Sequence, residues 1–129
     1  MKKIVKTALL GSVTALSALA LVACGNSDSK GANSKDTVKV GILQYVEHDS
    51  LTAARKGFIA ELEDNGYKEG DKITVDYQNA QGDQANLQTI SEQLTGDNDI
   101  VLAIATPAAQ SLATVSTETP ILFTAVTDP

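Results

Sequence analysis

Four short apolar runs alternate along the chain with three longer stretches in which apolar residues recur every three or four positions. The most apolar run is Ile100-Val101-Leu102-Ala103-Ile104-Ala105, preceded by Asp97-Asn98-Asp99 and followed by Thr106-Pro107 and an Ala-rich segment. A continuous apolar run rich in Ile and Val predicts a strand buried on both faces. Thr is a favoured N-cap and Pro a favoured first helical residue. The pattern therefore predicts a central parallel strand passing directly into a helix that reaches about Ser116. In open α/β sheets ligands bind outside the carboxyl ends of such strands, so this junction orients the rest of the chain.

Residues 38–43 read as the first strand, with Gln44-Tyr45-Val46-Glu47-His48-Asp49 as its loop. Asp49 or Ser50 caps a helix to about Asn65, with Leu51, Ala54, Phe58, Ile59 and Leu62 at helical spacing and Gly66 as the residue after the C-cap. Residues 72–78 alternate strictly, with Ile73, Val75 and Tyr77 on one side, which predicts a half-exposed edge strand. After the turn Asn79-Ala80-Gln81-Gly82, Asp83 caps a second helix built on Leu87, Ile90 and Leu94 and ended by Gly96. Thr119-Pro120 breaks the chain before a fourth strand over residues 121–126. Alternating strands and helices form right-handed βαβ units and a parallel sheet. With the second strand at an edge, the expected order is 2-1-3-4, an α/β fold with flanking helices. The loops after strands one, three and four then share one rim. The chain stops without a helix after strand four, so residues 37–129 read as an incomplete lobe of a larger protein.

The N-terminus stands outside this pattern. A basic start, Met1-Lys2-Lys3-Ile4-Val5-Lys6, leads into an apolar run interrupted by Gly11, Ser12, Thr14 and Ser17, and then into Leu21-Val22-Ala23-Cys24. This arrangement predicts a secretory signal over residues 1–23. The run is shorter than the about 20 apolar residues of a membrane span. Cys24 is the only cysteine, which excludes a disulfide framework. Leu-Val-Ala-Cys resembles the bacterial lipobox, in which the cysteine carries the lipid and becomes the first mature residue. Residues 24–36 then form a lipidated cysteine and a tether without bulky apolar side chains. The 129 residues carry a net charge of −6; removal of the signal leaves seven basic and sixteen acidic residues, a net −9. Such acidity opposes nucleic-acid binding and adsorption to an anionic membrane surface.

The loops exclude several chemistries. No glycine follows strand one and no phosphate-binding Gly-x-x-x-x-Gly-Lys exists. Gly-x-Ser-x-Gly, the turn of a Ser-His-Asp hydrolase, is also absent. Glu47, His48 and Asp49 are consecutive and the chain has one histidine, a poor ligand set for a metal. No catalytic residue, cofactor or metal site is expected. The rim suits binding better. Thr106, Pro107 and Ala108 present a hydroxyl and helix-start N–H groups to a carboxylate. Glu47 and Asp128 suit an ammonium group, and both also read as solvated loop acids. Tyr45 and His48 offer flat surface to a ligand side chain. Tyr45 also reads as packing on the sheet rim, and His48 as a capping or solvated residue.

Gly41-Ile42-Leu43-Gln44 with Glu47-His48 and Gly57-Phe58, Asn79-Ala80-Gln81-Gly82-Asp83, Ala103-Ile104-Ala105-Thr106-Pro107-Ala108-Ala109-Gln110, and Phe123-Thr124-Ala125-Val126-Thr127-Asp128-Pro129 occur in this order. Together they resemble a family of ABC-transporter substrate-binding lipoproteins linked to aromatic amino acids. Family members commonly read His-Pro where this chain has His48-Asp49. The resemblance implies a two-lobed periplasmic-binding-protein-like fold, residues 37–129 being part of the N-terminal lobe. It implies capture of an amino acid between the lobes; the contacts expected on the rim are Gln44, Tyr45, Glu47, His48, Thr106, Pro107, Ala108, Thr127 and Asp128. Delivery to an ABC permease would follow, from a lipid-anchored position outside the cytoplasmic membrane. A sensory lipoprotein with the same lobes and a flavodoxin-like enzyme are the alternatives.

Overall fold

The computed structural model describes residues 37–127. The expected signal over residues 1–23, Cys24, the expected tether, Asp128 and Pro129 lie outside the described residues. The elements run β1 (Val38–Gln44), α1 (Asp49–Asp64), β2 (Ile73–Asn79), α2 (Gln84–Asp97), β3 (Ile100–Ile104), α3 (Thr106–Val115) and β4 (Ile121–Thr124). The sheet order is β2-β1-β3-β4 and every pair is parallel, as the alternation of elements requires.

Side-chain alternation divides the core into two layers. On one face Val40, Ile42, Ile73, Leu102 and Ile104 pack beneath Leu51, Phe58, Ile59 and Leu62 of α1. On the other, Leu43, Val101 and Ala103 pack against Leu87 and Leu94 of α2 and Ala108 and Leu112 of α3. Right-handed crossovers moving in opposite directions from β1 put α1 on one face and α2 and α3 on the other. Between α2 and α3 the hydroxyls of Ser91 and Ser111 meet at 2.8 Å in the interior, each supplying the partner a buried polar group needs. Gly41 allows the close approach of α2 to β1: a Cβ there would lie 3.0 Å from Nδ2 of Asn98.

Several ends differ from the sequence-based expectation. His48, not Asp49 or Ser50, is the N-cap of α1; its Nδ1 accepts from the Ser50 backbone N at 3.3 Å. Asp83 caps α2 as expected, accepting from Asn86 N at 2.9 Å. Gly96 is inside α2, which continues to Asp97 and is capped by Asn98. There the Asn98 side chain donates to Leu94 O, a bond that does not require glycine. Gly66, at φ 85°, ends α1 as foreseen. The N–H groups of Gly66 and Tyr67 reach the carbonyls of Glu63 and Leu62, the paired bonds of a Schellman motif. β4 covers four residues rather than six, because Ala125 turns to φ 54°.

One side of the sheet is thinly covered. Phe123 is 68 % exposed. With Ile121, Val126 and the Ala109–Ala113 side of α3 it lines an apolar groove of about 360 Å³. Among the described residues no helix is long and apolar enough to cross a membrane.

Candidate functional site

The carboxyl ends of the four strands form one rim, and the described candidate residues lie along it in two groups. The first is at β3 and β4. Thr106 was expected to cap α3, but it is the first helical residue, and the cap position belongs to Ala105 with no side-chain cap bond. Ala105 has φ 85° and ψ 155°, a region that only glycine enters without strain. Its N–H is held by Thr124 O at 3.1 Å and its C=O accepts from Ala109 N at 3.1 Å. The backbone is thus fixed from both sides in a costly conformation. The Thr106 hydroxyl is freed from capping and ties down the β4 loop. It accepts from Thr127 N at 3.0 Å and lies 3.2 Å from the Thr127 hydroxyl.

Two hydroxyls joined by one hydrogen bond keep one O–H to donate elsewhere. Pro107 has no N–H, so the helix-start donors without an intrahelical partner are those of Thr106 and Ala108. Ala108 is fully buried as a whole residue, so the contact expected from it is not open at the rim, and the accessible donors are those of Thr106 and Thr127. This group can donate hydrogen bonds to one anionic oxygen pair.

The second group is at β1 and β2. Gln44 was placed in the loop, but it is the last residue of β1 and is fully buried. Its amide is used internally: Nε2 donates to Val46 O at 2.9 Å and Thr52 Oγ1 at 3.3 Å, and Oε1 accepts from the Tyr77 hydroxyl at 3.4 Å. Glu47 is exposed but anchored. Oε1 accepts from Thr52 Oγ1 at 2.7 Å and Oε2 from Asn79 Nδ2 at 3.1 Å. Tyr45 is half-buried against the core, with its hydroxyl 3.4 Å from Gly82 O. His48 is exposed and serves as the helix cap.

Sequence reading missed Thr52, Tyr77 and Asn79. The signal was available in the strand alternation. The stripe Ile73, Val75, Tyr77 ends in Asn79, and the stripe Val40, Ile42 ends in Gln44. The parallel register pairs Gln44 with Asn79, so two amides close one face of the sheet at the rim. Arg55 lies over the Tyr77 ring at 3.9 Å from its centre. No group of three or more His, Cys, Asp or Glu among the described residues is arranged to hold a metal.

The rim of this parallel α/β lobe thus carries a β3–α3 turn with free hydroxyl hydrogen-bonding capacity and an anchored carboxylate. Residues 39–129 match the family of ABC transporter substrate binding proteins, and the chain belongs to that family. It is 47 % identical over 105 residues to a tyrosine-binding protein of Clostridioides difficile, the match covering 81 % of this chain and 30 % of the relative. Among solved structures it resembles a ligand-free, open substrate-binding protein with adhesive properties from Clostridium difficile. That likeness has a TM-score of 0.69 and 46 % identity, covering 71 % of this chain and 32 % of the other. A streptococcal ABC domain in complex with L-Trp has the same TM-score at 44 % identity, covering 72 % of this chain and 32 % of that one. The chain thus spans about a third of the length of the relatives it matches.

Proposed function

We propose that this chain supplies part of the N-terminal lobe of an extracytoplasmic substrate-binding protein that captures an aromatic amino acid and hands it to an ABC permease. The observation that carries the reading is the pairing on one rim of a donor-bearing turn, at Thr106 and Thr127, with the anchored carboxylate of Glu47. β1 and β3 are hydrogen-bonded neighbours, so the loop that carries Glu47 and the β3–α3 turn open onto the same rim. Thr127 follows β4 on the other side of the turn, and Asp128 is the next residue in the sequence. The tyrosine-binding relative and the L-Trp complex support an aromatic side chain. The role is binding without catalysis, as in the rest of the family. A second lobe closing over the rim would exclude water and complete the contacts.

Residues 1–23 act as a lipoprotein signal in this reading. Cys24 carries the lipid, residues 24–36 are the tether, and residues 37–129 belong to the lobe. Two measurements test the proposal on a chain of full family length. In a thermal-shift panel of the twenty amino acids, Trp, Tyr or Phe gives the largest rise in Tm; no response to any aromatic amino acid refutes the ligand class. Cys24→Ser releases the protein from the membrane fraction; retention after a high-salt wash refutes lipid anchoring.

A further inference from the structure

We propose that Asn79 and Thr52 are positioning residues for the ligand's ammonium group, acting through Glu47. The inference rests on the reading of Glu47 as the ammonium partner and adds how that carboxylate is held.

The hydrogen bonds around Glu47 have only one consistent direction. A carboxylate accepts and cannot donate, so Thr52 must give its O–H to Oε1, at 2.7 Å. Thr52 Oγ1 must then accept from the Gln44 amide nitrogen, at 3.3 Å. The same nitrogen faces the Val46 carbonyl at 2.9 Å, which fixes the orientation of the Gln44 amide. Its oxygen therefore faces Tyr77, whose hydroxyl must donate at 3.4 Å. That hydroxyl in turn accepts from Asn79 Nδ2 at 3.3 Å. Asn79 is oriented independently, because its Oδ1 accepts from Gln81 N at 2.7 Å. Nδ2 is thereby turned to Glu47 Oε2, at 3.1 Å.

No group in this cluster can reverse without two donors or two acceptors meeting. Both carboxylate oxygens are held, one from α1 and one from the end of β2. The residue remains exposed. Two of about four lone-pair positions are used, leaving the rest to a cation from the rim. A glutamate held in this way does not have to be ordered when a ligand arrives, which is where preorganisation gains affinity. Arg55 does not compete for the carboxylate; its guanidinium lies over the Tyr77 ring.

The test is calorimetry on a chain of full family length with L-tryptophan, and with indole-3-propionate, which lacks only the ammonium group, by displacement. Thr52→Val keeps the branched shape and removes the hydroxyl; Asn79→Ala removes the amide. Each is expected to weaken L-tryptophan binding about three- to tenfold and to leave indole-3-propionate unchanged. Thr52→Ser restores binding, and in a Glu47→Gln background Asn79→Ala has no further effect. Equal losses for both ligands would show a merely structural role and overturn the proposal. So would a Glu47→Gln loss specific to L-tryptophan with Thr52→Val and Asn79→Ala both at wild-type affinity; in that case the Glu47 reading stands. If Glu47→Gln binds both ligands as the wild type does, the Glu47 reading itself fails.

Discussion

Thr106→Val isolates the chemistry of the β3–α3 turn. Thr and Val have nearly the same shape, and their helix propensities differ little. The substitution therefore removes a hydroxyl and leaves the backbone in place. In the folded protein that hydroxyl has two partners, Thr127 N at 3.0 Å and the Thr127 hydroxyl at 3.2 Å, both exposed. Exchanging such bonds for water costs about 0.5–1.5 kcal/mol. Thr106 is not the N-cap, so the further loss of about 1 kcal/mol that accompanies removal of a cap does not apply. Binding should suffer more. A hydrogen bond from the hydroxyl pair to a carboxylate is charge-assisted, worth about 1.5–3 kcal/mol. Its loss corresponds to roughly ten- to a hundredfold in Kd. Titration calorimetry with L-tryptophan, well below the Tm of a chain of full family length, separates the two effects. Thr106→Ser keeps the donor and should bind nearly as the wild type does. Wild-type affinity in Thr106→Val would mean that the ligand's carboxylate lies elsewhere, and the assignment of this turn would be wrong.

Other substitutions address the scaffold. Ala105→Gly relieves a strain of about 1–3 kcal/mol and adds about 0.5–1 kcal/mol of unfolded-state entropy; thermal unfolding should show a higher Tm, and a lower one would contradict the strain. Ser91→Ala strands the buried Ser111 hydroxyl, 2.8 Å away, at about 1–3 kcal/mol. Adding Ser111→Ala should recover part of that in denaturant titrations, and strictly additive losses would refute the pairing. Gly41→Ala pushes Asn98 away from Leu94 O, which it meets at 3.1 Å, and should cost about 1–3 kcal/mol. An unchanged denaturation midpoint would show that α2 moves aside freely.

The site was partly legible before the fold. The residue types flanking each strand end placed Tyr45, Glu47, His48, Thr106 and Thr127 on one rim, because a βαβ unit puts every post-strand loop at the same end of the sheet. Their roles were less legible. Thr106-Pro107 looked like a cap followed by a first turn, since Thr is a good cap in isolation. The cap position fell instead to Ala105, held by Thr124 and Ala109 in a conformation its own propensity opposes. Gln44 looked like a loop residue because it is polar and follows an apolar run. Burial is tolerated because three neighbours satisfy its amide, and those neighbours come from three different segments.

Local pattern alone determined the number and order of strands and helices, the parallel sheet and its 2-1-3-4 order. It also determined the strand-to-helix junction and the caps at Asp83 and Gly66. These follow from side-chain periodicity and from backbone preferences acting over a few residues. Tertiary structure decided the bond partners. Register brought Asn79 beside Gln44, packing of α1 brought Thr52 onto Glu47, and the β4 loop claimed the Thr106 hydroxyl. Each of these contacts joins residues from different elements. A chain's periodicity specifies which face a residue occupies; which donor meets which acceptor is settled only when those faces are packed together.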